Sequence, residues 1–336
     1  ARHMPPTQLN KILIAEWGRD WRQRFKSFTP RPIAAASIGQ VHKGVLPDGR
    51  EVAVKVQYPG VAKSIDSDID NVATLLRVSG ALPKELDLGP LLEEAKRQLH
   101  EEADYEREAG ELARFHGLLA DDDRYVVPEP LPEFSSRNIL AMTFAEGVAI
   151  ETLENDNQHN RDAVMASLID LVLRELFVFG HMQTDPNFAN YRWQQATGKL
   201  VLLDFGASRA VAPATADAYR KVVAALFDGD REGVKAAALE AGFMNQRSVD
   251  RHGPLIGRMI DIVIGEFEKD GPFDFGDRAF VATLREEGMA IGRDREAWHI
   301  PPIDTLFTQR KISGTALLAA RLKARVDVRT LVAKYV

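Results

Sequence analysis

The segment His181-Met182-Gln183-Thr184-Asp185-Pro186-Asn187-Phe188-Ala189-Asn190, followed by Leu202-Leu203-Asp204-Phe205-Gly206, constrains this chain more than any other feature. Its reactive groups are two carboxylates and a carboxamide, an oxygen-only set that suits a hard cation such as magnesium. Tyr191 to Leu203 reads as a short hairpin that delivers Asp204-Phe205-Gly206 at its exit. A fold for this sequence must present Asp185 and Asn190 from one loop and Asp204 from the turn after a hairpin.

Upstream, Ala34-Ala35-Ala36-Ser37-Ile38-Gly39-Gln40-Val41 has the G-x-G-x-x-G-x-V spacing of a phosphate-covering loop, with alanine at the first two glycine positions. Each alanine adds a Cβ that restricts positive φ and the approach of backbone N–H groups to phosphate, so a stiffer lid is expected. Taken alone, the stretch reads as a plain strand before a hairpin, whose turn is Pro47-Asp48-Gly49. In Glu51-Val52-Ala53-Val54-Lys55-Val56, alternation puts the valines on one face and Ala53 with Lys55 on the other. A lysine among valines ordinarily marks a solvent-facing side. On the strand after the loop, as in V-A-I-K, it instead points to an ammonium that reaches the α- and β-phosphates of a nucleotide.

Such a lysine needs a carboxylate to orient it. The helix-period run from Pro90 to Leu119 offers Glu101, Glu102, Asp104, Glu106 and Glu108. On one continuous helix Glu101, Asp104 and Glu108 share a face, and Glu102 lies about 100° round, so two faces serve two partners. A solvated acidic surface is the competing reading for each. The four pieces in order reproduce the apparatus of a protein kinase, in which Asp185 accepts or orients the nucleophile's proton and Asn190 with Asp204 holds magnesium. Two departures stand out: Thr184 replaces the arginine of His-Arg-Asp, and no Ala-Pro-Glu follows Gly206-Ala207-Ser208-Arg209. Ordinary docking of a protein substrate is therefore not expected.

At 336 residues, 45% hydrophobic and 27% charged, the chain can bury a core and suggests about two folding units. A net charge of −6 argues against non-specific nucleic-acid binding, and zero cysteines exclude disulfides, cysteine nucleophiles and thiolate metal sites. The longest apolar stretch, Ala163 to Phe179, is broken by Asp170, Arg174 and Glu175, so no transmembrane segment is expected. The chain opens on Ala1-Arg2-His3-Met4 without an apolar signal core, which leaves an upstream targeting segment open. Helical spacing over residues 8–26 precedes a small antiparallel sheet; long helices over 61–78 and 90–119 follow, then a strand at Ile139 to Phe144 and a hinge at Gly147. The expected fold class is α+β: a bilobal, protein-kinase-like plan with a small antiparallel sheet and long helices in the N-lobe and a mostly helical C-lobe. The expected divisions are 1–32, a truncated helical extension; 33–145, the N-lobe with a helical insert; and 146–336, the C-lobe.

The chain resembles the UbiB/AarF family of atypical kinase-like proteins of ubiquinone (coenzyme Q) biosynthesis. The match rests on Ala34 to His42, Val52-Ala53-Val54-Lys55 through Gly60, Glu102-Ala103-Asp104-Tyr105 with Glu108, Gln183-Thr184-Asp185-Pro186-Asn187, Leu203 to Ala207, and Gln309-Arg310-Lys311-Ile312-Ser313-Gly314. The resemblance implies Lys55 and Glu108 as an ion pair over the nucleotide, Asp185 as the catalytic-loop aspartate, and Asn190 with Asp204 as magnesium ligands. It implies that Ala34, Ala35, Ala36, Ser37, Ile38, Gly39, Gln40 and Val41 cover the nucleotide, and that Glu102 and Asp104 form a regulatory Glu-x-Asp motif facing an N-terminal Lys-x-Gly-Gln helix. That helix motif does not occur in these 336 residues, and truncation is the expected reason. Asp185-Pro186-Asn187-Phe188-Ala189-Asn190 looks more like the mitochondrial branch and its bacterial kin than like relatives with Asp-Pro-His-Pro-Gly-Asn.

The activity implied is that of a magnesium-dependent, ATP- and ADP-binding ATPase or atypical kinase, with anionic lipid, quinone-like small molecules and quinone-biosynthesis proteins as further partners. Arg321, Arg325 and Arg329, at i, i+4 and i+8 of one helix, read first as a solvated basic face, with contact to anionic lipid as the alternative. The location implied is cytoplasmic and peripheral to the inner membrane, or the mitochondrial matrix. Two other functions remain open: a small-molecule kinase, since aminoglycoside-kinase-like folds share Asp-x-x-x-x-Asn, and a nucleotide-sensing scaffold without turnover.

Overall fold

The computed structural model describes residues 3–79, 88–277, 282–283, 286, 288–289, 291, 293–294 and 301–336. The fold is kinase-like, an antiparallel sheet with helices in its first part and a mostly helical remainder. Two compact units emerge, one of Ala1–Gly147 with Val201–Ser208, the other of Val148–Leu200 with Arg209–Val336.

In the first unit, β1 (Ser27–Phe28), β2 (Ala34–Ala35), β3 (Gly39–Val45), β4 (Glu51–Gln57) and β6 (Ile139–Thr143) form a five-stranded sheet; Tyr125–Val126 is the short β5. β3 and β4 pair antiparallel from Gly39↔Gln57 to Val45↔Glu51, closed by the expected turn with Gly49 at φ 91°. The valines of β4 pack into a core with Leu9, Leu13, Trp21, Phe25, Phe134 and Ile139, so one face of the strand lies under α1 (Pro6–Trp17) and the turn after it. Lys55 points the other way, toward α4 (Tyr105–Leu118), and is only 4% exposed. The strand is thus buried on both faces, which a valine-lysine alternation read alone does not reveal.

The run from 90 to 119 is two helices, α3 (Gly89–Glu102) and α4; α2 covers Val61–Ser79. The chain breaks at Asp104, whose extended backbone (φ −101°, ψ 92°) lets its carboxylate accept from Arg107 N–H at 3.0 Å as the N-cap of α4. The shared face expected for Glu101, Asp104 and Glu108 on one helix is therefore overturned. Asp104 is spent at the cap, and Glu108 alone turns inward.

In the second unit, α5 (Gln158–Arg174) runs into a π turn over Glu175–Phe179 that stops at Gly180 in the left-handed region (φ 58°). There follow β8 (His181–Gln183), the loop bearing Asp185, and β9 (Tyr191–Gln194), which pairs antiparallel with β7 (Val148–Ala149). β10 (Lys199–Leu202) completes the expected hairpin as the chain passes into the first unit at Val201, and β11 (Ser208–Ala210) marks its return at Arg209. Helices α6 (Pro213–Phe227), α7 (Arg231–Glu240) and α8 (Gln246–Glu268) enclose Leu226, Val234, Ile256, Ile260 and Ile264. The last long helix, α9 (Ile303–Leu322), packs on α5. It ends at Lys323, which takes a left-handed conformation (φ 50°).

That stop separates the three arginines expected on one helix. Arg321 closes α9 and bonds Glu154; Arg325 lies in the two-residue strand Arg325–Val326 and pairs with Asp274 at 3.1 Å; Arg329 lies in the short helix Val328–Val332 beside the Phe227 ring. No single basic face results. Among the described residues no helix is long and apolar enough to cross a membrane.

Candidate functional site

Within the first unit, three chemistry-bearing residues far apart in sequence meet at one ammonium. Lys55 Nζ donates to Glu108 Oε1 and Oε2 at 3.0 and 2.9 Å and to Asp204 Oδ2 at 3.0 Å. Lys55 and Glu108 are buried; the Asp204 side chain keeps 32% exposure, the open flank of the cluster. One positive charge against two negatives leaves an excess of negative charge in a poorly solvated place. Burial pushes the Glu108 carboxyl up, and the neighbouring Asp204 carboxylate pushes it further, to about 7. Burial acts on Asp204 in the same sense, but the Lys55 ammonium and the Gly206 N–H hold it below the usual carboxylate range. Burial would lower Lys55, yet the two carboxylates keep it well above an ordinary lysine.

The turn carrying Asp204 is tied to α4. Arg107 donates from Nη1 to Ser208 O at 3.0 Å and from Nη2 to Gly206 O, and the Phe205 ring lies 4.8 Å from that of Phe115. Arg107 has no counterpart in the sequence reading, because its partners are carbonyls about a hundred residues away.

The alanine-rich segment is a tight hairpin between β2 and β3, with Ala36 N–H donating to Gly39 O at 2.9 Å. Gly39 is required for space rather than for positive φ: an added Cβ would lie 2.4 Å from Val56 O and 2.8 Å from Tyr105 Oη. Gly39→Ala is expected to cost about 1–3 kcal/mol, read as a lower denaturant midpoint with unchanged slope. Of the other loop residues, Ser37 donates to Glu102, which sits at the end of α3. The Gln40 side chain is fully buried, taking Met4 N–H at 2.8 Å and meeting His42 Nε2 at 2.9 Å. Ala34, Ala35, Ala36, Ile38 and Val41 are half-buried or exposed.

In the second unit, Asp185 and Asn190 meet as their spacing requires: Asn190 Nδ2 donates to Asp185 Oδ2 at 2.9 Å. Arg310 of α9 donates to Asp185 Oδ1 at 3.1 Å. Gly314, one turn further, faces Pro186, where a Cβ would come 2.2 Å from the proline Cβ. Alanine normally improves a helix by up to about 1 kcal/mol over glycine. Here the overlap reverses the sign, so Gly314→Ala is expected to lower the denaturant midpoint.

The oxygen donors suit a magnesium ion. In the first unit each oxygen of the Asp204 carboxylate accepts one bond and retains lone-pair capacity; in the second, Asn190 spends its amide hydrogens on Asp185, and its other polar atom is a carbonyl oxygen of the kind a hard cation takes. Among the described residues no cluster of three or more His, Cys, Asp or Glu side chains could hold a metal ion. Magnesium characteristically takes one or two protein oxygens and completes its shell with phosphate and water.

A buried lysine bonded to a helix glutamate and to the aspartate of an Asp-Phe-Gly turn, on a sheet of this order, defines a protein-kinase-like fold. The ABC1 atypical kinase-like domain matches residues 1–238, and the chain belongs to that family. It is 41% identical over 336 residues to the atypical kinase COQ8B, mitochondrial, of Rattus norvegicus, the match covering 98% of this chain and 62% of the rat protein. It is 39% identical over 331 residues to the atypical kinase COQ8, mitochondrial, of Saccharomyces cerevisiae, covering 97% and 65%. The chain therefore spans less than two thirds of the length of either relative. The solved complex of Rv3197 with erythromycin from Mycobacterium tuberculosis shares the fold, with a TM-score of 0.80 at 23% identity over 99% of this chain and 83% of that one.

Proposed function

We propose that this chain is the core of a magnesium-dependent, ATP-binding atypical kinase or ATPase that supports ubiquinone biosynthesis. The observation that carries the reading is the Lys55 ammonium bonded to both Glu108 and Asp204. In this reading Lys55 orients the α- and β-phosphates, Glu108 fixes Lys55, and Asp204 and Asn190 hold magnesium, which when bound neutralises phosphate charge. Asp185 orients the attacking water or hydroxyl, held meanwhile between Asn190 and Arg310. The hairpin Ala34 to Val41 covers the nucleotide, and Glu102, bonded to Ser37, and Asp104 tune that cover. Phosphoryl transfer consists mainly of positioning and charge neutralisation, the two things this residue set supplies. The link to quinone synthesis rests on the resemblance to the UbiB/AarF family, and a location in the mitochondrial matrix on likeness to relatives named as mitochondrial, with the cytoplasm, peripheral to the inner membrane, as the other proposed location. Anionic lipid, quinone-like compounds and quinone-biosynthesis proteins are the proposed partners.

The test is phosphate release from ATP by the purified chain, with and without magnesium and anionic liposomes. Magnesium-dependent release supports the reading. Nucleotide binding with no release under any of these conditions would replace it with a scaffold, and phosphate appearing on an added alcohol would replace it with a small-molecule kinase.

A further inference from the structure

The second unit buries one lysine that the chemistry above does not use. Lys311, on α9, is 1% exposed, and its Nζ donates to Gln183 Oε1 at 3.0 Å and to Tyr191 Oη at 2.6 Å. Those two residues bracket the catalytic loop. Gln183 ends the strand before Thr184 and Asp185, and Tyr191 directly follows Asn190. A single ammonium thus joins the entry and the exit of residues 184–190, and Gly314 on the same helix meets Pro186 within the loop.

Burying an ammonium is costly, and an apolar side chain would fill the same space with less penalty. The lysine is partly compensated by Glu175, whose Oε1 accepts the Gln183 backbone N–H at 3.2 Å; burial raises the Glu175 carboxyl, and the Lys311 charge opposes that rise. Yet Glu175 Oε2 and Gln183 Nε2 are buried without a partner, so the network is not an optimised stabilising cluster. What Lys311 supplies that a methionine cannot is two directional bonds, one at each end of the loop.

We infer that Lys311 is the positioning residue of the catalytic loop, a staple from α9 that closes residues 184–190 through Gln183 and Tyr191 and so aims the Asp185 carboxylate. The inference deepens the reading of the chain as an ATP-using enzyme and rests on it for its kinetic part. Its structural part, the ordering of the loop, stands apart from turnover. Lys311 touches no reacting atom, and its effect falls on the orientation of the attacking group rather than on nucleotide affinity.

The experiment compares wild type with Lys311→Met/Glu175→Gln, which removes both buried charges and leaves neither unpaired, and with Tyr191→Phe, which removes one bond only. The readouts are thermal midpoint, kcat and KM for magnesium-ATP, and amide exchange along the chain. The staple predicts that the double variant loses kcat by about 10–100-fold at a KM within two-fold of wild type, since a misplacement near 1 Å is worth about that much. Tyr191→Phe falls between the two and adds little when combined with the double variant, because both act on one closure. Amides of residues 184–190 exchange faster in the variants, while those of β3 and β4 do not. Unchanged exchange at 184–190, or a loss of kcat that only tracks the folded fraction, overturns the staple. Wild-type protein that releases no phosphate overturns the enzyme reading, and amide exchange then decides the staple by itself.

Discussion

Asp204→Asn is expected to abolish magnesium-dependent phosphate release and, at the same time, to lower the melting temperature at neutral pH. In the proposed reading the loss of activity follows from the loss of a charged oxygen ligand where phosphate charge is neutralised; removing one such group costs about 10²–10³ in rate. The loss of stability follows from the Lys55 ammonium and the Gly206 N–H, which hold the Asp204 carboxyl below the usual carboxylate range, so that its charged form favours the fold above that range. Asparagine forfeits that contribution, in part offset because the push of Asp204 on the Glu108 carboxyl disappears. A net loss of roughly 1 kcal/mol would lower the midpoint by about 2–4 °C for a unit of this size. Calorimetry beside a phosphate-release assay reads both. A raised midpoint would mean that repulsion between the two carboxylates outweighs the bond from Lys55 to Asp204.

Removal of Lys55 costs the fold more. Lys55→Met strands Glu108 fully and Asp204 partly without their cation, and breaking a buried pair from one side costs about 3–5 kcal/mol. Turnover is expected to vanish as well, but the informative measurement is stability against pH. Glu108 stands at about 7 in the folded chain against an ordinary 4.5. Its contribution therefore favours the fold below the ordinary value and is lost as pH rises through the folded one. Without the ammonium the folded value climbs further and the loss grows. The denaturant midpoint of Lys55→Met should thus recover as pH is lowered from about 8 to 6, by a wider margin than in wild type. A flat profile would show that Glu108 finds another partner.

The parts of the site that the sequence displays openly are those whose residues are close together or strictly ordered. Asp185 and Asn190 are five apart and meet directly; the hairpin and Asp-Phe-Gly follow in a fixed order. The break at Asp104 is hard to see because helical spacing holds on each side of it; its one trace is a phase slip, since the nine residues from Ala103 to Leu112 would put them on opposite sides of a continuous helix, and the cap itself depends on one backbone angle. The stripe Arg321, Arg325, Arg329 fails for a related reason: spacing cannot register that Lys323 turns left-handed and ends the helix. Arg107 and Lys311 are hidden differently. Their partners lie about a hundred residues away or more, and a charged residue in a helix ordinarily belongs to its surface.

The strand that carries Lys55 is shared between two layers, with its valines under α1 and its lysine under α4. In an activity screen, substitutions at Leu9, Leu13 or Trp21 will score with those at Lys55 although all three side chains pack on the valine face of the strand, opposite the lysine. A map of loss-of-function substitutions will accordingly light up the first helix as strongly as the Asp-Phe-Gly turn. Variants there should be sorted by protein abundance before any is assigned to catalysis.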